Sequence, residues 1–400
     1  SILRVLMITN LFYPLTGGSE NVVFETSRRL VRRGHDVHVL TECTRPEWPL
    51  YECMEGIHIH RGTVRFGHPI TRFVSGVSAA ARMFKRLAAR QPFDLLHFHL
   101  TLPTIGVLLC RESRMSSRIA SFYGPWDEEE LVEKKIRQSW HPGYFKAAVF
   151  RWLQKSVLLR SSQIITLSDY SRRQVATLAG LDERCVLIPG GVDIQRFQPA
   201  AREQVKTRLG FPKDRIVLLT IRRLVPRMGV DTLIDAMPDI LTQHPNIQLV
   251  IGGEGPLRTQ LENRADALRL RDRIRFTGFI SAEELPLYYQ AADLFVMPTR
   301  ALEGFGLPII EAMACGTPAI GTAVGSIEEI IGGFDRRLLI PEPTPDAITA
   351  TVRNCLRHGL LEDTFRALCR RQVESRYDWE HIVDTLEHTY DLVCNKKKDG

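Results

Sequence analysis

Short apolar runs rich in Val and Ile recur along the chain, separated by longer stretches with apolar residues every three or four positions. In the first half the short runs are residues 3–9, 36–41, 57–61, 94–99, 118–123 and 163–168. They carry few polar interruptions, as strands buried on both faces do. Helical spacing fills 18–33 and 76–90, and the first of these ends Arg32-Arg33-Gly34, with cations in its last turn and glycine as a stop. The second half repeats the rhythm, with strands predicted at 215–220, 247–252, 273–277, 293–297 and 318–322. Helices are predicted there at about 229–243, 255–269, 282–291, 308–315 and 345–358. This alternation predicts an α/β fold with parallel, doubly wound sheets, and two such halves predict two Rossmann-like domains. The Gly- and Pro-bearing segment 188–199 reads as a linker, placing the boundary near residue 195. In open sheets of this kind ligands sit beyond the carboxyl ends of the strands, so two facing domains would line a cleft with their strand-end loops.

Composition agrees with a folded chain: of 400 residues, 44% are hydrophobic and 25% charged, which excludes a largely disordered protein. No apolar run approaches the ~18 residues of a membrane-spanning helix. The start of the chain, broken by Arg4, reads as a buried strand rather than a signal peptide. Eight scattered cysteines form no Cys-x-x-Cys pair, so neither a disulfide framework nor a structural zinc site is expected, and a reducing cytoplasm fits. The net charge of +7 is uneven: residues 1–195 hold 26 Lys and Arg against 18 Asp and Glu, and residues 196–400 hold 27 against 28. An anionic membrane surface, an acidic substrate or simply an arginine-rich soluble surface would explain the excess. No recognition motif accompanies it, so nucleic acid is not an expected partner.

The most informative stretch runs from Pro298 to Pro318, Pro-Thr-Arg-Ala-Leu-Glu303-Gly-Phe-Gly-Leu-Pro308-Ile-Ile-Glu311-Ala-Met-Ala-Cys-Gly316-Thr-Pro318. Gly304 and Gly306 permit a tight loop, Pro308 suits the first helical position, and Gly316 suits a helix stop. The amides of Gly306, Leu307 and Ile309 should then be free at a helix N-terminus, a ready site for phosphate. Glu303 falls in the loop and Glu311 in the first turn. Sugar hydroxyls are natural partners for two carboxylates beside an anion site, although a solvated loop Glu and a helix-dipole Glu have the same spacing.

This stretch resembles the Glu-x7-Glu signature of retaining glycosyltransferases of family 4, which have the GT-B fold. Other segments agree in order: Gly17-Gly18-Ser-Glu20, Ser168-Asp-Tyr-Ser171, Ile188-Pro-Gly-Gly-Val-Asp193, Thr220-Ile-Arg-Arg-Leu-Val-Pro-Arg-Met-Gly229, Gly252-Gly-Glu-Gly-Pro256, Gly278-Phe-Ile-Ser281 and Trp379. The resemblance spans about residues 2–393. It implies an acceptor-binding domain over 1–195 and a nucleotide-sugar domain over 196–375. Residues 376–400 would return a helix to the first domain and end in a frayed lysine tail.

The resemblance also implies residue roles. Glu303 would accept from hydroxyls of the transferred sugar, and the amides of Gly304, Phe305, Gly306 and Leu307 would hold that sugar and the diphosphate. Glu311 would grip the ribose. Arg223 would stabilise the leaving nucleotide electrostatically. Backbone at Phe279 and Ile280 would meet the base, Gly253 and Arg227 would complete the donor site, and Gly18 would allow close approach to the donor phosphate. Gly17 and His99 fall on the acceptor side, although His99 reads equally as a structural histidine.

Two departures stand out. The family loop carries a lysine where this chain has Met228, and Arg227 or Arg222 would have to compensate. A histidine that meets the transferred sugar is replaced by Tyr123, which cannot titrate near neutrality. The expected function is retaining transfer of a sugar from a nucleoside diphosphate sugar, UDP-linked by preference, to a hydroxyl of a saccharide, lipid-linked saccharide or small natural product. The departures leave open a sugar-nucleotide-binding protein with lost or reduced activity.

His97 and His99 share one strand face, as do His58 and His60, but no third metal ligand is evident and no Asp-x-Asp occurs, so neither a metal nor any other cofactor is expected. Asp127-Glu-Glu-Glu130 reads as a solvated acidic turn or, alternatively, as the reader of a cationic acceptor. Between 134 and 160, Lys134, Lys135, Arg137, Lys146, Arg151, Lys155 and Arg160 interleave with Trp140, Tyr144, Phe145, Phe150 and Trp152. Such a stretch would suit an anionic membrane and a lipid-linked acceptor; the preferred reading is a basic helix with its aromatics in the core. The expected location is cytoplasmic, with peripheral contact at the inner membrane face as its variant.

Overall fold

The computed structural model describes residues 1–13, 18–99, 102–125 and 142–398. These form two packed units: one contains the chain up to Gly190 and again from Trp379 onward, and the other is Gly191–Asp378.

The first unit is built on eight strands: β1 (Arg4–Ile8), β2 (Asp36–Cys43), β3 (Tyr51–Met54), β4 (Ile57–Thr63), β5 (Leu95–Phe98), β6 (Ser117–Phe122), β7 (Gln163–Thr166) and β8 (Cys185–Leu187). Their order across the sheet is β3-β4-β2-β1-β5-β6-β7-β8. All neighbours are parallel except β3 and β4, an antiparallel hairpin with Met54 opposite Ile57. The turn between them places Glu55 and Gly56 at φ 48° and 81°, the left-handed pair that a tight hairpin demands. Hydrophobic patterning missed β3 and β8. Both are short edge strands, exposed or half-exposed, with no continuous apolar run to betray them.

Along β1 successive side chains go to opposite faces. Val5 and Met7 join Leu30, Trp379, Val383 and Tyr390 on one side, while Leu6 and Ile8 join Phe84, Phe98, Phe122 and Val157 on the other. The C-terminal helix Trp379–Lys398 therefore completes the core on one face of this sheet. It is also held electrostatically. Arg33 bonds Asp384 (2.6 Å), Glu387 (2.9 Å) and Glu380 (3.0 Å), Arg29 bonds Glu380 (3.0 Å), and His35 Nε2 lies 2.8 Å from Glu387. The lysines read as a frayed tail continue this helix, and Lys397 donates to the carbonyls of Arg114 and Ser116 at 2.7 and 2.6 Å.

The second unit holds β9 (Ile216–Ile221), β10 (Ile247–Gly252), β11 (Ile274–Gly278), β12 (Leu294–Met297), β13 (Ala319–Thr322) and β14 (Leu339–Ile340), in the order β11-β10-β9-β12-β13-β14. Every pairing is parallel. The chain builds outward from β9 through β10 and β11, then returns to lay β12 on the other side of β9. That reversal is the topological switch point at which doubly wound sheets bind ligands. It directs attention to the loops that follow β9 and β12.

Candidate functional site

Three loops meet at the carboxyl ends of β9, β10 and β12, with their backbones in contact. Gly229 has φ 70°, and a Cβ there would overlap the Pro298 carbonyl oxygen. Gly253 has φ 109°, and its Cβ would overlap the carbonyl oxygen of Arg222. Arginines stitch the loops together. Arg300 donates its amide to the Arg227 carbonyl (2.8 Å) and its guanidinium to Asp231 (2.8 Å) and Thr232 (2.6 Å). Arg227 reaches the Leu302 carbonyl at 2.9 Å. Leu302 itself has φ 59°, a left-handed conformation unusual for a branched side chain and held here by its neighbours.

Glu303 follows this strained residue. Its Oε1 accepts the Gly306 amide at 3.0 Å and its Oε2 accepts Arg222 Nη2 at 2.8 Å. The helix beyond begins at Leu307 and runs to Ala314, so Pro308 is its second residue rather than its first. Gly306 precedes it at φ 82°. The three amides expected to be free are not equivalent: Gly306 donates to Glu303, and Ile309 donates to the Gly306 carbonyl at 3.0 Å. A carboxylate near the helix start captures the nearest amide, and a tight first turn uses another. Leu307 stands at the first helical position, with Gly304 in the loop before it and Phe305 buried against Tyr377 at 6.0 Å.

Glu311 lies one turn deeper than expected, in the second turn of the helix. There it accepts a hydrogen bond from the Tyr289 hydroxyl at 2.9 Å. Burial pushes its pKa up to about 7, against the opposing effects of Tyr289 and Arg196. Of the cations, Arg222 is buried and faces Glu303, whereas Arg223 is exposed. Phe279, just past β11, is 76% exposed, and Ile280 beside it is half-buried.

In the first unit, Tyr123 lies just past β6 and its hydroxyl is 2.7 Å from His99 Nδ1. His99 stacks on His97, with ring centroids 4.3 Å apart. His97 is bracketed by Ser121 Oγ (2.7 Å) and by Tyr390 OH (2.6 Å) from the C-terminal helix. Burial lowers the pKa of His97 to about 3 and holds that of His99 well below the usual range, so both rings are neutral near pH 7. Burial pushes the Tyr123 phenol in the opposite sense, upward. The His99 Nε2 is buried and has no partner among the described residues. Gly18 opens the helix Gly18–Arg32, and a Cβ on it would meet none of the described residues within 4 Å. Gly17, Trp126, Asp127–Glu130, Lys134, Lys135, Arg137 and Trp140 lie outside the described residues.

Sequence spacing found no third partner for the paired histidines, yet strand register brings Asp36, His38 and His58 together, with potential ligand atoms within 4.8 Å of one another. Arg4 already donates to Asp36 at 2.9 Å and lies 3.5 Å from His38 Nε2, so a guanidinium serves that carboxylate. The helix Pro142–Leu159 corrects another expectation. Ala147, Leu153, Val157 and Leu158 face the core, while Phe145 and Trp152 are 77% and 66% exposed. Among the described residues of this helix, aliphatic side chains and Gln154 take the buried positions, and Phe150 is half-buried.

Family models match both units: one described as Glycosyltransferase Family 4 covers residues 16–196, and one described as Glycosyl transferases group 1 covers residues 201–372. The GDP-mannose-dependent alpha-(1-6)-phosphatidylinositol monomannoside mannosyltransferase of Mycolicibacterium smegmatis is 30% identical over 362 residues, covering 88% of this chain and 89% of that one. The chain belongs to glycosyltransferase family 4. This family 4 chain is also 25% identical to the phosphatidylinositol N-acetylglucosaminyltransferase gpi3 subunit of Schizosaccharomyces pombe, over 98% of its own length and 81% of the relative's. Sucrose-phosphate synthase from Thermosynechococcus elongatus shares the fold, with a TM-score of 0.82 at 23% identity over 98% and 99% of the two chains. The two Rossmann-like units of this family 4 glycosyltransferase are thus those of the GT-B fold.

Proposed function

We propose that the protein transfers a sugar from a nucleoside diphosphate sugar to a hydroxyl of a lipid-linked acceptor, with retention and without a bound metal. The observation that carries this reading is the cluster at the switch point of the second sheet. There Glu303, the arginines at 222, 223 and 227, and the start of the helix Leu307–Ala314 occupy one set of strand-end loops, with Glu311 one turn inside that helix. Such a site suits a diphosphate flanked by polyhydroxylated groups. The helix start and the guanidinium groups neutralise the phosphates, and the carboxylates accept from hydroxyls. Glu311 takes the ribose, Glu303 the transferred sugar, and Phe279 and Ile280 border the base.

In the first unit, Tyr123 and His99 act as a hydrogen-bonding pair toward the sugars. His99 is neutral, so it offers Nε2 as a donor or acceptor according to its tautomer rather than as a titrating base. Retention without a protein nucleophile follows if the departing phosphate oxygen takes the acceptor proton on the same face.

The lipid-linked acceptor is favoured over a free saccharide by the helix Pro142–Leu159. Phe145, Val149, Trp152 and Leu159 are exposed along it, among the exposed cations Lys146, Arg151, Lys155 and Arg160. Apolar and aromatic side chains ringed by cations match the interface of an anionic bilayer. Two of the relatives named above also act, by their names, on phosphatidylinositol or its monomannoside.

The test is thermal unfolding against UDP, GDP, ADP and TDP and their sugars. Transfer from the stabilising donor to phosphatidylinositol vesicles would then be followed, with NMR assignment of the new anomeric centre. A ligand at about 100 times its dissociation constant adds roughly 2.7 kcal/mol. An inverted product would overturn the retaining mechanism, and no response to any nucleotide would overturn the donor site.

A further inference from the structure

Arg222 is 8% exposed and sits directly after β9, between the three loops. Its Nη2 lies 2.8 Å from Glu303 Oε2, 2.8 Å from Met228 Sδ and 3.3 Å from Thr299 Oγ1, and its Nη1 lies 3.8 Å from Met297 Sδ. Its Nε is buried and has no partner among the described residues. A guanidinium carries five N–H donors, whereas its surroundings supply one carboxylate oxygen, one hydroxyl and two thioethers, which accept only weakly. Buried donors left in this state cost stability unless something else completes them. The missing partner should be an acceptor-rich anion, because one carboxylate oxygen already serves the group and donors remain unused.

Met228 explains how the guanidinium fits. The thioether packs against Nη2 without adding charge. A lysine there, as in the family loop, would bring a second cation against the first.

We infer that Arg222 is the buried cation of the diphosphate site and that Met228 makes room for it, so that the charge missing at position 228 is supplied from position 222. This inference rests on the donor-site reading above, but not on the identity of base, sugar or acceptor. In the unliganded protein Arg222 holds the Glu303 carboxylate; with donor bound, its unused N–H groups serve a phosphate oxygen.

Inorganic pyrophosphate tests this directly, because it carries neither base nor sugar. Isothermal titration would compare wild type with R222K, R222M, R222M/M228K and R222M/E303Q, each first shown to unfold cooperatively. The expected result is at least a tenfold loss of pyrophosphate affinity in R222M. A smaller loss is expected in R222K, and R222M/M228K should recover most of the affinity because the cation has returned from the other position. R222M/E303Q should stay weak. If R222M binds as wild type does, or if wild type binds no pyrophosphate, the inference falls. Recovery in R222M/E303Q would also overturn it, since Arg222 would then only be neutralising Glu303. The donor reading fails separately: pyrophosphate binding that depends on Arg222, with no sugar nucleotide bound or turned over, would leave the cation assigned and the transferase proposal refuted.

Discussion

The Tyr289 hydroxyl donates to the Glu311 carboxylate at 2.9 Å, inside an environment that pushes the Glu311 pKa up to about 7. Between the unfolded value of 4.5 and about 7, the folded chain keeps a proton that the unfolded chain has lost. The contribution of this group to stability therefore falls as pH rises through that window and is level on either side of it. The conversion of ~1.4 kcal/mol per pH unit puts the cost at no more than a few kcal/mol. Melting temperatures from pH 4 to pH 8 should show this fall in wild type and not in Glu311→Gln. Nucleotide affinity should move the opposite way, rising toward pH 8, because only the carboxylate can accept from both ribose hydroxyls. An affinity that falls with pH would remove Glu311 from the ribose.

Met228→Lys tests the packing at Arg222 from its other side. The Met228 sulfur is 2.8 Å from a guanidinium nitrogen, so the new ammonium would face a buried like charge. Two such charges at about 4 Å repel by on the order of 4 kcal/mol at an effective dielectric of ~20. Denaturant unfolding should show Met228→Lys destabilised, and addition of Arg222→Met should restore most of the loss. Purely additive effects would mean that the two side chains do not share one space.

Tyr390 ties the C-terminal helix to the middle of the first sheet through His97, at 2.6 Å. The Tyr390→Phe variant leaves the His97 Nδ1 buried and unsatisfied, at a cost of about 1–3 kcal/mol. Tyr390→Ala adds a cavity, and comparable substitutions cost about 3–5 kcal/mol. Denaturation midpoints should rank wild type, Phe, Ala in that order. Equal stability of all three would show that this helix contributes little to the first unit's core.

Phe145 and Trp152 give the membrane proposal its separate test. Both are more than 60% exposed, so Phe145→Ser with Trp152→Ser should change stability by no more than about 1 kcal/mol. Each buried aromatic contributes roughly 1.5–3 kcal/mol to partitioning, so sedimentation with phosphatidylglycerol vesicles should fall more than tenfold. Wild type should bind neutral phosphatidylcholine vesicles weakly and lose affinity for the anionic ones in high salt. Unchanged vesicle binding by the double variant would exclude this helix as the contact.

Much of the fold is legible in the order of residues alone. Parallel strands buried on both faces must be continuous apolar runs, and the helices between them must show a 3.6-residue period, so β1, β2, β9, β10 and β12 announce themselves. The edge strands β3 and β8 do not, because Tyr51–Met54 and Cys185–Leu187 bury too little to leave a pattern. The place of Glu303 is legible for a related reason. A glycine-bearing loop between a strand and a helix has few possible conformations, so Glu303 falls in that loop as its spacing predicts, whereas Glu311 lies in the second turn of the helix rather than the first.

Sequence alone thus determined the architecture, the loop cluster and the loop position of Glu303, all of which follow from local periodicity and turn chemistry. Tertiary structure decided which way individual side chains point. Arg222 and Arg223 occupy a loop with no period to assign faces, and packing against Met228, Thr299 and Glu303 buries the first while the second is exposed. Strand register placed Asp36 beside His38 and His58, and core filling by aliphatics turned Phe145 and Trp152 outward. Each of these outcomes depends on residues distant in the chain, and composition and spacing carry no record of such contacts.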